Sequence, residues 1–388
     1  MCKQFISLVS FLCLLLAGGC DREVEIQPSG KVIRLGVVGP FSGEHAGKGN
    51  NAIEGISVAM QYAPLLNNGD KLELVIEDDQ NKPEQTVAAV DRLVNEKHVS
   101  AIILMSTSES ALEIRSQVNK LEIPVLAMLA THPDVTRDNN YISQLCFDDV
   151  FQAGVAALFV MDELLLDTAA VFTNEESQHS SILAAEFIRK YQTVGGKVID
   201  TILVHDDQNY KDKLEFLREK GTRLLYLPVT AKTVIEIQRA ATEIGWNPVI
   251  MSSDGLAATV FNDYRDVMSL LEGIYAIDFI AQDDKTIDKV LKNASFWKKL
   301  DNIYKSQNKD VATTYTALGA ESLMLLSNAL NRCEDPQDRS CINRMLRNTK
   351  NFQGMAGKVS ILENGKASRP LVVNAIRDGR LDFIVKVY

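Results

Sequence analysis

From Val32 onward, short runs of β-branched and aliphatic residues alternate with longer amphipathic stretches, the pattern of parallel strands joined by crossover helices. VIRLGVVG, LELVIEDD, VSAIILM, IPVLAML and NYISQLCF read as the first five strands. Helices are expected between them near Ala52 to Leu66, Pro83 to Glu96 and Ser110 to Lys120. A second cycle begins with a helix near Val150 to Leu165 and continues through strand AAVFT, helix SSILAAEFIRKYQ, strand KVIDTILV and a short helix near Tyr210 to Lys220. Strand RLLYLPV, helix AKTVIEIQRAATEIG, strand PVIMSS, helix AATVFNDY and strand GIYAIDFI complete it. Beyond residue 280 the helical stretches WKKLDNIYKS and TALGAESLMLLSNALN precede a last strand pair, KVSILENGK and PLVVNAIRDGRLDFIV, expected to turn at Glu363, Asn364 and Gly365.

Two such cycles predict the α/β class, with two doubly wound parallel-sheet lobes joined by a multi-strand hinge. Lobe 1 is expected over 31–147 and 279–355, lobe 2 over 148–278 and 356–388, with crossings near Cys146 to Asp149, Ala276 to Ala281 and Phe352 to Lys358. Open sheets of this kind bind ligands beyond the carboxyl ends of their strands. That puts the glycine-studded stretch GPFSGEHAGKGNNAIEG, residues 39–55, at a cleft. It is not a phosphate loop: Gly43 to Gly47-Lys48 is one residue short of G-x-x-x-x-G-K-[ST], and Gly49 stands where the hydroxyl belongs.

A length of 388 residues suits two domains, and 46% hydrophobic with 24% charged residues is a soluble globular composition. The net charge of -10 leaves no basic surplus for nucleic acid. The start changes the picture most. MCK, FISLVSFLCLLLAGG and Cys20 followed by polar DREVEIQPSGK read as a signal peptide over 1–19, too short an apolar run for a membrane span, and then a tether over 20–30. LAGGC resembles the bacterial lipoprotein signal, which implies acylation of Cys20, and Asp21 resembles the signal for retention at the inner membrane. Export to an oxidising periplasm favours a bridge between Cys333 and Cys341 around EDPQDRS, with Cys146 a buried free thiol.

Little else speaks for chemistry. The acids of EDD at 77–79 read as a solvated strand end. Histidines 45, 98, 132, 179 and 205 show no metal spacing, although His132 and His179 border the expected cleft. No nucleophile elbow or local Ser-His pair is present, so no enzyme, cofactor or metal is expected.

Five segments in order resemble the type I periplasmic solute-binding proteins of the leucine/isoleucine/valine class: GPFSG at 39–43 with Gly49 and Gly55, VIEDDQNKPEQTV at 75–87, IPVLAMLATHPDVT at 123–136, SSDGL at 252–256, and FQGMAGKVSILENGKASRP at 352–370. The resemblance implies a receptor for an ABC importer, holding a small amino-acid-like solute between closing lobes and meeting the permease subunits. By the same resemblance Ser42 and Lys48 line the cleft. Thr107 or Ser108, with Leu129, Ala130 and Thr131, hold the ligand carboxylate, and Asp254 pairs with its ammonium. The plainer readings are helix caps for Ser108 and Thr131, an Asp-Gly turn for Asp254 and a solvated surface lysine for Lys48.

Departures from the family pattern bear on the ligand. Leu104-Met105 replaces a small pair before the first-lobe serine; Gln178, in TNEESQHSS, and Thr230 stand where tyrosines are usual, and Lys48 where branched-chain binders carry an aromatic ring. A cleft-facing Lys48 would favour a polar or acidic solute. The same departures raise an alternative: an envelope lipoprotein of this fold that regulates or senses through another protein.

Overall fold

The alternation of runs becomes two open sheets in the computed structural model, which describes residues 27–205, 208–280, 302, 313–355 and 357–388. The expected signal, Cys20 and the helix at WKKLDNIYKS lie outside the described residues. Among the described residues no helix is long and apolar enough to cross a membrane.

In lobe 1 the chain runs β1 (Val32–Gly39), α1 (Ala46–Tyr62), β2 (Lys71–Asp78), α2 (Pro83–Asn95), β3 (Ala101–Leu104), α3 (Ser108–Glu113), α4 (Arg115–Leu121), β4 (Val125–Ala127) and β5 (Ile142–Gln144). Its sheet is parallel in the order β2-β1-β3-β4-β5. Lobe 2 follows with α5 (Asp149–Leu158), β6 (Thr168–Thr173), α6 (Gln178–Thr193), β7 (Lys197–Leu203), α7 (Lys211–Glu219), β8 (Leu224–Leu227), α8 (Ala231–Glu243), β9 (Val249–Ser252), α9 (Leu256–Asp263) and β10 (Tyr275–Asp278). The chain then supplies α10 (Thr314–Leu330) and α11 (Arg339–Arg347), a small sheet of β11 (Phe352–Gln353), β12 (Lys358–Ile361) and β13 (Ala367–Ser368), and finally β14 (Leu371–Arg377) and β15 (Arg380–Val387). The second large sheet has the order β15-β14-β10-β9-β8-β6-β7.

The strand order reverses between β1 and β3 in one sheet and between β6 and β8 in the other. Loops diverge at such switch points and leave a crevice beyond the strand ends. The segments after β1, β3, β6 and β8 therefore face the inter-lobe space. Each sheet is covered on both faces, and one apolar core passes from Leu35 and Ile56 in lobe 1 through Phe147 and Phe279 to Phe187 and Tyr226 in lobe 2.

Several sequence expectations change. α1 starts at Ala46 rather than Ala52, so Lys48 and Gly49 are helical. The glycines serve close packing: a Cβ on Gly49 would lie 2.1 Å from the Pro40 carbonyl oxygen, and one on Gly55 1.9 Å from that of Thr316. Only Gly43 in this stretch needs its positive φ, +80°. The C-terminal stretch is a hairpin of its own, β14 pairing with β15 across Asp378 and Gly379, while the turn at 363–365 joins β12 to β13. α11, unread in the sequence, is capped by Asp338, whose carboxylate accepts the Cys341 N–H at 3.1 Å, and it carries one half of the Cys333–Cys341 disulfide. Cys146 is buried and donates to the Ala130 carbonyl at 3.1 Å.

The EDD strand end is not solvated throughout. Asp79 is fully buried and accepts from Thr86 Oγ1 at 2.7 Å, from Ser106 Oγ and from the Asn81 N–H. It draws together the segments after β2 and β3, and Glu77 pairs with Arg92 at 2.6 Å.

Candidate functional site

The site is built around His179, in the first turn of α6. Ser177 caps that helix by accepting the Ser180 N–H at 3.3 Å, which fixes where the first turn begins and where its side chains project. His179 Nδ1 lies 3.1 Å from Asp149 Oδ1, and Nε2 3.5 Å from Asp254 Oδ1. Thr131 Oγ1, from lobe 1, is 3.4 Å from the same Nδ1.

Both acids are held in place. Gln152, one turn along α5 from Asp149, donates Nε2 to Asp254 Oδ1 at 2.7 Å and to Asp149 Oδ1 at 3.2 Å, and its Oε1 accepts the Asp254 N–H at 3.2 Å. Asp149 is completely buried, and Asp254 is partly buried, with 15% of its side chain exposed. Burial raises the Asp254 carboxyl above its usual range, Asp149 adds to that, and His179 opposes it. For His179 burial works against the charge, yet Asp149 and then Asp254 outweigh it, and the ring is raised to about 9. A ring flanked by acceptors on both nitrogens is doubly protonated, so an imidazolium sits in the cleft at neutral pH.

Lys48 brings a second cation from lobe 1. Burial depresses its ammonium, while Asp254, Glu109 and Glu44 support the charge. Among the described residues the Lys48 side chain makes no hydrogen bond or ion pair, which leaves its ammonium open to a guest.

The remaining nominated residues divide. Ser108 is buried and its Oγ accepts the His132 N–H at 3.2 Å, tying the segment after β3 to the one after β4. Leu129 is half-buried, and Ala130 is buried with its carbonyl engaged by Gln144 Nε2 at 2.7 Å. Thr107 donates to Glu109 at 2.7 Å. Ser42 is exposed and bonds Asp78, anchoring the loop after β1. Gln178 is exposed at the start of α6, and Thr230 caps α8 by accepting the Thr233 N–H at 3.3 Å. Lys48, Thr131 and Asp254 are thus brought together, while Ser42, Gln178 and Thr230 do not join them. Asp149 and Gln152 were missed because no spacing links them to residues at 131, 179 and 254.

Asp149, His179 and Asp254 also present one donor atom each within 4.8 Å of one another, a set that metal ions can use. A second proton on the ring would offset the two acids in the way a metal ion would.

Residues 32–380 match the family model described as periplasmic binding protein. The chain belongs to this family. It is a solute-binding protein by family, not an enzyme. An amino acid binding protein of Pseudomonas aeruginosa is 24% identical over 57% of this chain and 60% of its own length. The leucine-, isoleucine-, valine-, threonine- and alanine-binding protein of the same organism is 22% identical over 92% of this chain and 91% of its own length. Among solved structures, the leucine binding protein LivK of Thermotoga maritima superposes with a TM-score of 0.78, at 26% identity, covering 92% of this chain and 98% of that one.

The charge pattern of this periplasmic binding protein makes a pH prediction. The His179 folded-state value of about 9 exceeds its ordinary 6.5, so its contribution to stability is complete below about 6.5 and is lost as pH rises through about 9. Asp278, pushed up to about 7 by burial, overlaps only the lower edge of that window and does so equally in wild type and variant. Urea titrations are expected to show wild-type stability falling between neutral pH and about 9, with His179→Gln flattening the fall. Equal slopes in the two proteins would refute the assignment.

Proposed function

We propose that this protein is a lipid-anchored, periplasm-facing receptor that closes its lobes on a small, amino-acid-like carboxylic solute and presents it to the permease subunits of an ABC importer. One observation carries the reading: the Thr131 hydroxyl of lobe 1 and the fixed acid Asp254 of lobe 2 meet at His179. Differential contacts on two lobes are what lets a ligand stabilise a closed state. The names of the relatives, which bind leucine and other amino acids, support the solute class. The lipoprotein-like LAGGC supports anchoring through Cys20 and retention at the inner membrane.

Calorimetry across amino acids, amides and short organic acids is the test. Binding should appear within this panel, and Thr131→Val should weaken it by about tenfold or more, the loss of one hydrogen bond to a charged group. Silence across the whole panel would sink the reading.

A second reading is favoured by one feature: the cleft acids are already paired by His179 without any solute. An envelope lipoprotein that regulates or senses through another protein would need no ligand there. Co-purification of an importer permease supports the first reading; a cell-wall synthase or sensor kinase in its place supports the second.

A further inference from the structure

In the reading above, Asp254 is the partner of a solute ammonium, yet the structure has already filled that place. The His179 ring lies between both cleft acids, 3.1 Å from Asp149 and 3.5 Å from Asp254, and reaches Thr131 of the opposite lobe at 3.4 Å. Gln152 takes up further acceptor capacity on both carboxylates. The two acids that face the ring, Asp149 and Asp254, are therefore met by two cations, His179 and Lys48, before any solute enters, with Glu44 and Glu109 facing Lys48.

An incoming ammonium would meet an occupied Asp254 and stand beside like charges from His179 and Lys48. It could enter only by displacing a tethered imidazolium that sits at high effective concentration. A carboxylate meets the opposite situation, because the Lys48 ammonium has no ion-pair partner among the described residues, while the Thr131 hydroxyl supplies a donor. We infer that the cleft selects carboxylic solutes lacking a free ammonium, with His179 as the specificity residue that stands in for the missing group. This rests on the solute-binding reading.

The groups facing His179 come from every side: Asp149 on α5, Asp254 after β9, Lys48 on α1 and Thr131 after β4. Glu44 and Glu109 face Lys48 in turn. No other cation faces the ring among those that set its charge, so removing His179 leaves the two acids uncompensated on their own lobe.

The test uses calorimetry on the purified protein near neutral pH with matched pairs: leucine and 4-methylpentanoate, phenylalanine and 3-phenylpropanoate, glutamate and glutarate. Wild type is expected to bind at least one deaminated compound about tenfold or more tighter than its amino acid, the scale of one charge-assisted hydrogen bond. His179→Gly should reverse that order by vacating the ammonium place. If that variant does not fold, His179→Gln, which keeps the hydrogen bonds without the charge, should narrow the preference. Lys48→Gln should weaken the deaminated compound about tenfold.

A wild type that prefers the amino acid of each pair would overturn the inference and leave solute binding standing. A wild type that binds neither member of any pair, nor anything in the broader panel, would overturn both. Tight uptake of Zn²⁺ by wild type that His179→Gln abolishes would also overturn the inference, because a metal-ligating ring cannot carry the second proton.

Discussion

Replacing Glu321 by Gln is expected to lower the free energy of unfolding by about 3–5 kcal/mol, the range for breaking a buried ion pair. Glu321, on α10, and Arg369, between β13 and β14, have no exposed side-chain surface and meet at 2.7 Å. Arg369 also donates to the Leu145 carbonyl at 3.0 Å, just after β5, and its guanidinium lies 5.4 Å from the ring centre of Phe279, just after β10. Phe279 stacks on Phe147 at 4.1 Å, and the second oxygen of Glu321 accepts the Met355 N–H, just after β11. One ion pair thus gathers three separate segments of the chain. Without the carboxylate, a buried guanidinium is left with the weak compensation of a carbonyl and a ring face. Urea unfolding of Glu321→Gln measures the loss. The double replacement Glu321→Leu with Arg369→Met should recover most of it, since apolar pairs replace buried ion pairs at little penalty. A loss below ~1 kcal/mol in the single variant would mean that water reaches the hub and screens it.

Gly319→Ala is expected to be the next most damaging change, at about 3 kcal/mol, the upper end for overpacking a close contact. A Cβ at Gly319 would lie 2.0 Å from the Ala52 carbonyl oxygen, and in the neighbouring contact a Cβ at Gly55 would lie 1.9 Å from the Thr316 carbonyl oxygen. Helices α1 and α10 therefore touch backbone to backbone, and the obstacle is a carbonyl on a rigid helix rather than the movable end of a side chain. Forcing them apart also shifts Lys48 on α1, so any solute affinity should fall with the stability. Gly154→Ala in α5 is the control: nothing lies within 4 Å of its Cβ position, and the helix should gain about 0.8–1.0 kcal/mol from the better helix former. Similar losses in both variants would show that the effect is not the helix contact.

Both predictions concern the frame rather than the ligand, and the frame is where reading the chain succeeded most fully. Hydrophobic periodicity is a local property, and VIRLGVVG or AKTVIEIQRAATEIG carries its own element type in its spacing. Ends were less legible. α1 was expected to begin at Ala52 because Gly47 and Gly49 look like loop residues, whereas both are helical, and Gly49 is small because Pro40 crosses above it. The hairpin at Asp378-Gly379 was legible in its Asp-Gly pair and was passed over.

The candidate site divides along the same line. Asp254, Thr131 and Lys48 could be nominated from short motifs, but their readings as caps, turns or surface charge stayed open until partners were known. Thr230 caps a helix, while the Lys48 ammonium feels Asp254 of the other lobe, although both stand at equally plausible positions in the chain.

By itself the sequence determined the α/β class, the two cycles, the pairing of Cys333 with Cys341 and the family segments, all of which depend on local spacing or on contacts close along the chain. Only the tertiary structure decided that His179 lies between Asp149 and Asp254, and that Glu321 meets Arg369. Those partners are separated by 30 to 75 residues and come from different elements. A charge has no spacing signature at that range: its role is set by which opposite charge the fold buries beside it and how much water the fold removes.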